Sequence, residues 1–483
     1  MQSPSPAQPS SPTTQDDSVR SVVQSLRDRA PLVRQSTVDQ RRDKIRRLAD
    51  ALLNRREIFA EALKADFGKA PVEVDLTEIK AVTKEAEHAV SQLDRWMAPD
   101  RVKSPLLFTG TRSEVHYEPK GVVLIMSPWN YPVNLTLGPL VGALAAGNCV
   151  VLKPSEHTPH TAAALKTLIA DLYNPREVTV VTGGPDVAQT LTAQPFDHIY
   201  FTGSPDIGRL VMKAAAEHLT SVTLELGGKS PAIVDRTTDL TKAAGRIAWS
   251  KFTNAGQTCI APDYVLVDKD VQADLIDALR DRIYSFYGKT PEEQQASDDY
   301  ARLVHERHYE KIVGLLSDAI EHGATVAVGG QHDLESDFVA PTLLTDVPLD
   351  ARVMQEEIFG PVLPIIPFQA LDDAIQIIND RPSPLSMYIF SERDANVDSV
   401  LSRTTAGSTC VNEGFVHFVH PNLPFGGKGE SGLGRGHGIY SFKEFSNERA
   451  VLRRTYGADL LKPLYPPYNR VTSRVADWVL RYF

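Results

Sequence analysis

The stretch Asp197–Leu226, DHIYFTGSPDIGRLVMKAAAEHLTSVTLEL, decides the fold. It opens on DHIYFTG, a short apolar run whose branched and aromatic residues suit a strand. SPDIGRLVMKAAAEHL follows with apolar residues at helical spacing, and SVTLEL reads as a second strand. A strand, a helix and a strand in this order form a right-handed crossover between parallel strands. At the first junction Gly203 permits a tight turn, Ser204 can cap the helix, and Pro205 suits a first turn that needs no backbone N–H. Exposed N–H groups and the helix dipole there favour an anion such as pyrophosphate. The spacing Gly203 to Gly208 is not G-x-G-x-x-G, so an ordinary strand–helix turn accounts for it equally well when taken alone.

The same alternation continues in both directions. Upstream, NCVVLK and EVTVVTG read as strands, and TPHTAAALKTLIADLY and PDVAQTLTA as helices. Downstream of Gly227, strands at PAIVD, YVLVD, VLPIIPF, SMYIFS and STCVN alternate with helices at 239–253, 270–288, 304–322, 371–379 and 393–404. Two alternating sets predict an α/β protein with two Rossmann-like parallel sheets and a boundary near 222. Residues 18–100 read as mostly helical, with Ile45, Leu48, Leu52 and Leu53 at helical spacing. SPLLFTGTRSEVHYEPKGVVLIM predicts extended strands near 106–118 and 120–126.

At 483 residues the chain needs more than one hydrophobic core. Its formal net charge of −10 argues against nucleic acid or an anionic membrane as the main partner. The basic run RRDKIRR at Arg41–Arg47 reads as a solvated helix face. Residues 1–17, rich in Ser, Pro and Gln, read as a disordered tail and not a signal peptide. The apolar region Val122–Leu152 is interrupted by Pro128, Asn130, Pro132, Asn134, Pro139 and Asn148, so no integral membrane span is expected. Cys149, Cys259 and Cys410 are too widely spaced for a disulfide framework or a zinc site, which points to a reducing compartment, the cytoplasm. Cys149 and Cys410 fall in strands and are assigned to core packing. HFVH at His417–His420 lacks further ligands, so no metal is expected.

Cys259 is different. It lies in FTNAGQTCIAP, a run of small and turn-forming residues after a helix. A catalytic thiol attacking a carbonyl needs donors for the resulting oxyanion and a way to resolve the adduct. The Cys259 N–H is one donor. Asn130, between the prolines of PWNYP, is a second. Glu225, at a strand end in LELGGKSP, can act as a general base toward water. Each residue alone has a bland explanation: a small buried hydrophobe, a turn former, a solvated carboxylate. Several such explanations must hold at once for the site to be absent. In VVLKPSE, Lys153 and Glu156 either reach a ribose or adenine edge at the carboxyl end of a parallel strand or form a surface ion pair.

Together, PWNYP, KPSE, FTGS, LELGGK, GQTC, EEIFGPV and PFGGKGESGLGR resemble the aldehyde dehydrogenase superfamily, in its order, over about 120 to 440. GQTCIAPDYVLV and SFKEFSNERAVL are most similar to class 3, which includes fatty-aldehyde enzymes. The resemblance implies a dinucleotide-binding domain over 18–105 and 120–222 and a catalytic domain over 223–408. It also implies a small β bridging or oligomerisation element over 106–119 and 409–450, with a C-terminal tail at 451–483. It implies a homodimer that oxidises a medium- or long-chain aliphatic or an aromatic aldehyde to the acid through a thiohemiacetal and a thioester. Cys259 matches the nucleophile, Glu225 the general base and Asn130 the oxyanion donor. The cofactor set is Lys153, Glu156, Gly203, Ser204, Gly208, Glu357, Phe359 and Trp129. NAD is favoured because Glu156 would repel a 2′-phosphate, while NADP stays open. Two rivals are a CoA-acylating dehydrogenase, against which Glu225 speaks, and a non-catalytic structural protein on the same fold, against which the intact Cys259, Glu225 and Asn130 speak. Lys428 departs from the class, where related sequences often carry an apolar or small residue. RVADWVLRYF is too short to span a membrane, and Val471, Val475, Trp478 and Val479 form one apolar helix face expected to dock on the protein.

Overall fold

Parallel strands flanked by helices on both faces read as near-continuous apolar runs, and the central strands of this chain follow that pattern. The computed structural model describes residues 14–105, 108–454 and 462–482. Val122–Met126, Cys149–Lys153 and His198–Thr202 are buried at every position. With Val178–Val180, Ser221–Glu225 and the short strand Gly432–Leu433 they form a six-stranded sheet. Its order is Gly432–Leu433, Ser221–Glu225, His198–Thr202, Val122–Met126, Cys149–Lys153, Val178–Val180, and all but the first strand run parallel. This is the doubly wound arrangement, in which the strand order reverses between Val122–Met126 and His198–Thr202. Ligands of such sheets sit at that crevice, beyond the carboxyl ends of the strands.

A seven-stranded sheet follows, ordered Thr325–Val328, Thr342–Thr345, Val362–Phe368, Tyr264–Asp268, Pro231–Val234, Ser386–Phe390, Ser408–Val411. Only its first strand is antiparallel. A three-stranded antiparallel sheet joins Asp100–Val102, Thr111–Pro119 and Ser446–Arg454. The α/β fold with two Rossmann-like sheets and a small β element is therefore present.

Several local expectations change. Residues 1–13 of the expected tail lie outside the described residues, and Thr14 to Asp17 already belong to the helix Thr14–Arg34. The strand expected near 106–118 begins at Thr111; Leu106 and Leu107 lie outside the described residues. The run Arg41–Arg47 is not simply a solvated face. Arg41 is 5% exposed, and its guanidinium donates to the Ala145 carbonyl at 2.9 Å, at the C-terminal end of the helix Asn134–Ala146. Unpaired helix carbonyls and the negative dipole end attract such a cation. Lys44 pairs with Glu177 at 2.6 Å.

The segment 409–450 does not stay in one element. Ser408–Val411 is an edge of the seven-stranded sheet, Gly432–Leu433 of the six-stranded sheet, and only Ser446–Arg454 joins the three-stranded sheet. The glycines between them, with Gly429 at φ +64° and Gly434 at φ +85°, let the chain change direction. The apolar face of the C-terminal helix Arg470–Tyr482 is not fully docked. Val471 is 64% and Trp478 53% exposed, with Thr472 the one buried residue. Among the described residues no helix is long and apolar enough to cross a membrane.

Candidate active site

The helix Leu240–Phe252 ends just before the loop of Cys259. Asn254, Ala255 and Gly256 then take three successive left-handed conformations, φ +56°, +52° and +75°. A Cβ on Gly256 would lie 2.3 Å from the Gly360 carbonyl oxygen, so only glycine fits. Side-chain amides hold this costly turn. Asn254 Nδ2 donates to the carbonyls of Asn130 and Gln257 at 3.0 and 3.1 Å. Gln257 Nε2 donates to Asn254 and Arg302 carbonyls at 3.0 Å each, and its Oε1 accepts from the Val304 N–H at 3.1 Å. Thr258 Oγ1 meets the Tyr131 hydroxyl at 2.6 Å. Cys259 thus sits in a loop whose neighbours are fixed. Burial, with the charges of Glu357 and Glu225, pushes its thiol up to about 12, so the resting group is a thiol.

Asn130 follows the strand Val122–Met126 and is 2% exposed. Its Nδ2 donates one hydrogen to Gln257 O at 3.0 Å. Behind it lies the fully buried ion pair Lys69–Glu78, at 2.8 Å. Glu78 Oε2 accepts from the N–H groups of Val133 and Asn134, at 3.1 and 2.8 Å, where the next helix begins. Lys69 lies 3.8 Å from the Tyr131 ring centre. Glu225 ends the strand Ser221–Glu225, paired with Thr202 and Gly432. Burial lifts its carboxyl well above the ordinary range, with Arg435 opposing. Its Oε1 faces the Tyr200 hydroxyl at 3.5 Å, and its Oε2 has no protein partner.

Two cavities meet here. One is walled mainly by Tyr131, Leu135, Ile260, Phe415, Phe418 and Phe425, with Glu85 and His437 among its polar groups. The other is bordered by Trp129, Asn130, Gly203, Ser204, Glu357 and Phe359. Cys259 and Glu225 border both. Burial and the Asp263 charge raise the Glu357 carboxyl to about 7, against a Gly228 backbone hydrogen bond and the charges of Lys311 and Lys229. Trp129 meets Phe359 edge-on at 5.4 Å and His308 at 5.2 Å.

The structure brings together eight of the sequence-derived residues: Cys259, Glu225, Asn130, Trp129, Gly203, Ser204, Glu357 and Phe359 all border the second cavity. Lys153, Glu156 and Gly208 lie off the wall of either. Lys153, at the adjacent strand end, pairs with Glu156 at 2.7 Å. Gly208 serves close packing, since a Cβ there would lie 2.7 Å from the Leu226 side chain. Lys428 is exposed and borders neither cavity. Cys149 and Cys410 are buried. His417 faces the hydroxyls of Ser408 and Ser386 at 2.8 and 3.1 Å, and no metal-holding group of side chains occurs among the described residues.

Sequence reasoning missed His308 and Lys311 on the helix Glu306–Glu321. Burial drives His308 down to about 3. The ring is therefore neutral, with its proton on Nε2, which donates to the Phe359 carbonyl at 2.8 Å. Lys311 Nζ donates to the Glu357 carbonyl at 2.7 Å. Their spacing puts both on one helix face, a signal present in the sequence but no different from that of many solvated helices.

The second cavity fits a dinucleotide. It opens at the crevice where the strand order reverses, and the helix Pro205–Ala216 begins at its rim with Ser204 as cap. A Cβ on Gly203 would lie 2.5 Å from the Phe201 ring, leaving bare backbone there. Thr202 Oγ1 and Glu225 Oε2 are buried without protein partners. A dinucleotide cradle open to a half-buried thiol and a buried carboxyl defines a pyridine-nucleotide oxidoreductase acting on an electrophilic carbon. More narrowly, the chain belongs to the aldehyde dehydrogenase family, whose sequence model, "Aldehyde dehydrogenase family", matches residues 8–451. It is 42% identical over 459 residues to "Aldehyde dehydrogenase family 3 member B2" of Mus musculus, covering 95% of this chain and 94% of that protein. It is 43% identical over 429 residues to "4,4'-diaponeurosporen-aldehyde dehydrogenase" of Staphylococcus aureus, covering 89% and 92%. The solved structure "Substrate bound state of Staphylococcus Aureus AldH" superposes with a TM-score of 0.91 at 39% identity, covering 95% of this chain and 99% of that one. The protein is an NAD(P)-dependent enzyme that oxidises an aldehyde to a carboxylic acid.

Proposed function

We propose that Cys259 is the nucleophile, Glu225 the general base and Asn130 an oxyanion donor for a medium- or long-chain aliphatic or an aromatic aldehyde. The observation that carries this reading is that Cys259 and Glu225 stand where a largely apolar cavity meets a second one into which Asn130, Ser204, Lys311 and Glu357 bring polar groups. The Cys259 sulfur adds to the carbonyl carbon as its thiol proton passes to water. The oxygen takes the electron pair and accepts hydrogen bonds from Asn130 Nδ2 and the Cys259 N–H. The chemistry supplied by bound NAD(P) is acceptance of the hydride that leaves this carbon. The thioester that results is opened by water, from which Glu225 takes a proton. The carbon–sulfur bond breaks, its electron pair returns to sulfur, and the acid departs.

For the cofactor, Glu357 is proposed to hold the nicotinamide ribose, with Phe359 and Trp129 beside the ring. Gly203 and Ser204 face the pyrophosphate, Lys153 and Glu156 the adenosine ribose, and Gly208 lets the helix approach. Burial opposes ionisation of Glu156, but the bond from Lys153 outweighs it and lowers the carboxyl below its ordinary range. That charge supports NAD over NADP. The relative named for diaponeurosporenal supports a large apolar aldehyde.

The division into a dinucleotide domain (18–105, 120–222) and a catalytic domain (223–408) is part of the same proposal. So is a homodimer in the cytoplasm. The nine-residue strand Ser446–Arg454, the outer strand of its sheet, supports pairing with a second copy, and three free cysteines support a reducing compartment.

The test is a panel of short to long aliphatic and aromatic aldehydes with NAD and NADP, with and without CoA. Reduced nucleotide and free acid should form one to one, with kcat/KM rising with chain length. Acyl-CoA as the product, or a preference for the shortest aldehydes, contradicts the reading.

A further inference from the structure

Two charged residues of the quoted motifs take no part in this chemistry, Lys229 of LELGGK and Asp263 of GQTCIAPD. They form an ion pair with side chains 9% and 5% exposed, and neither borders a cavity. The Lys229 ammonium also donates to the carbonyls of Val353 at 2.8 Å and Glu356 at 2.9 Å, which uses all three of its hydrogens. The second Asp263 oxygen accepts from the Ile358 N–H at 3.0 Å, and the Asp263 N–H donates to Ser230 O at 2.7 Å.

The pair therefore grips the backbone on both sides of Glu357. Lys311 and His308 hold the carbonyls of Glu357 and Phe359 from the other flank, and Phe359 is kept at φ +57°. The Glu357 carboxyl is packed so closely on Gly227 that a Cβ there would lie 2.1 Å from its Oε2. One ion pair thus ties together the loop after Glu225, the loop after Cys259 and the segment that carries Glu357.

We propose that Lys229 and Asp263 are a positioning pair, which sets where the Glu357 carboxyl stands relative to Cys259 and governs the hydride step without touching substrate or cofactor. A buried ion pair adds little net stability compared with apolar residues of the same size. Apolar residues, however, cannot grip carbonyls and an N–H of a separate loop. A misplacement of about 1 Å at a reacting centre costs roughly a hundredfold in rate.

The inference rests on the role proposed above for Glu357, and the test separates the two. Asp263→Asn keeps the volume and leaves an oxygen for the Ile358 N–H; Lys229→Met is the stronger change. Two activities of the full chain are compared: aldehyde oxidation with saturating NAD, and hydrolysis of p-nitrophenyl acetate, which needs a thiol and a base but no hydride transfer. Both variants should lose aldehyde-oxidation kcat by roughly ten- to a hundredfold, with ester hydrolysis within about threefold of wild type and an unchanged aldehyde KM. On a Glu357→Gln background Asp263→Asn should add little further loss, because the pair acts through Glu357. Parallel loss of both activities, no loss in either, or full additivity with Glu357→Gln overturns the proposal. If Lys229→Met does not fold, Asp263→Asn and its double variant decide alone. A normal hydride step in Glu357→Gln by itself removes the role of Glu357. A slow one there beside normal Asp263→Asn removes only the pair.

Discussion

The two cavities that meet at Cys259 differ in the polar groups they carry. On one side Ile260 and the rings of Tyr131, Phe415, Phe418 and Phe425 make a wall that recognises shape and hydrocarbon. On the other, Asn130, Ser204, Lys311 and Glu357 present directed polar groups. The first can accept any apolar chain of suitable size, because hydrophobic burial has no preferred direction. The second must orient one ring, so its groups are held in turn by backbone and side-chain bonds. Substrate breadth and chemical precision are thus assigned to different sides of one sulfur.

Removing the group the cavities share is the largest perturbation. Cys259→Ala should lower kcat for aldehyde oxidation by about 10^4-fold or more, while circular dichroism and NAD binding stay as in wild type. Normal turnover in a folded variant would detach both cavities from the chemistry. Changes confined to the border are smaller. Asn130→Ala should cost roughly a hundred- to a thousandfold in kcat as one oxyanion donor is lost. Glu225→Gln should slow thioester hydrolysis by a similar factor, about 10^2 or more, and acyl-enzyme should accumulate in mass spectra. An unchanged steady-state rate with no accumulation excludes Glu225 as the base.

The contrast also governs what could be read in the chain. Cys259, Glu225 and Asn130 stand in short motifs rich in Gly, Pro and Asn, so the residues themselves marked them out, while Glu357 came only from the family resemblance. The two parallel sheets were legible because doubly buried strands such as VVLIM and CVVLK are continuous apolar runs. The short strands Thr325–Val328, His332–Asp333 and Gly432–Leu433 were not, since two to four residues carry no period. Nor were His308 and Lys311, whose helix reads as solvated until the loop of Phe359 is packed on it. The apolar wall was the least legible part. Phe415 and Phe418 lie in a short 3-10 turn, and nothing local marks a phenylalanine as lining a cavity instead of filling a core.

Acid–base behaviour sharpens the polar side. Glu225 and Cys259 both act as anions and both are raised above their ordinary values by burial. The Cys259 thiol, at about 12, is protonated at neutral pH, and the Glu225 carboxyl keeps its proton to higher pH than an ordinary carboxyl does, so activity should fall as pH falls and rise toward alkaline pH. Wild-type kcat should climb toward alkaline pH, with a shallower climb in Glu225→Gln. A flat wild-type profile would mean that neither ionisation limits the rate.

The smallest expected effect lies on the apolar side and tests whether the cavities are independent. Phe418→Ala widens the apolar cavity without removing a polar group. Each buried methylene of a bound chain is worth about 0.8 kcal/mol, or about fourfold in kcat/KM. Removing the ring should therefore lower kcat/KM several-fold for aldehydes that reach it and leave short aldehydes unchanged. The KM for NAD should not move, because Phe418 does not border the dinucleotide cavity. Equal losses for short and long aldehydes, or a shifted KM for NAD, would mean that the two walls communicate and that breadth and precision are not separately built.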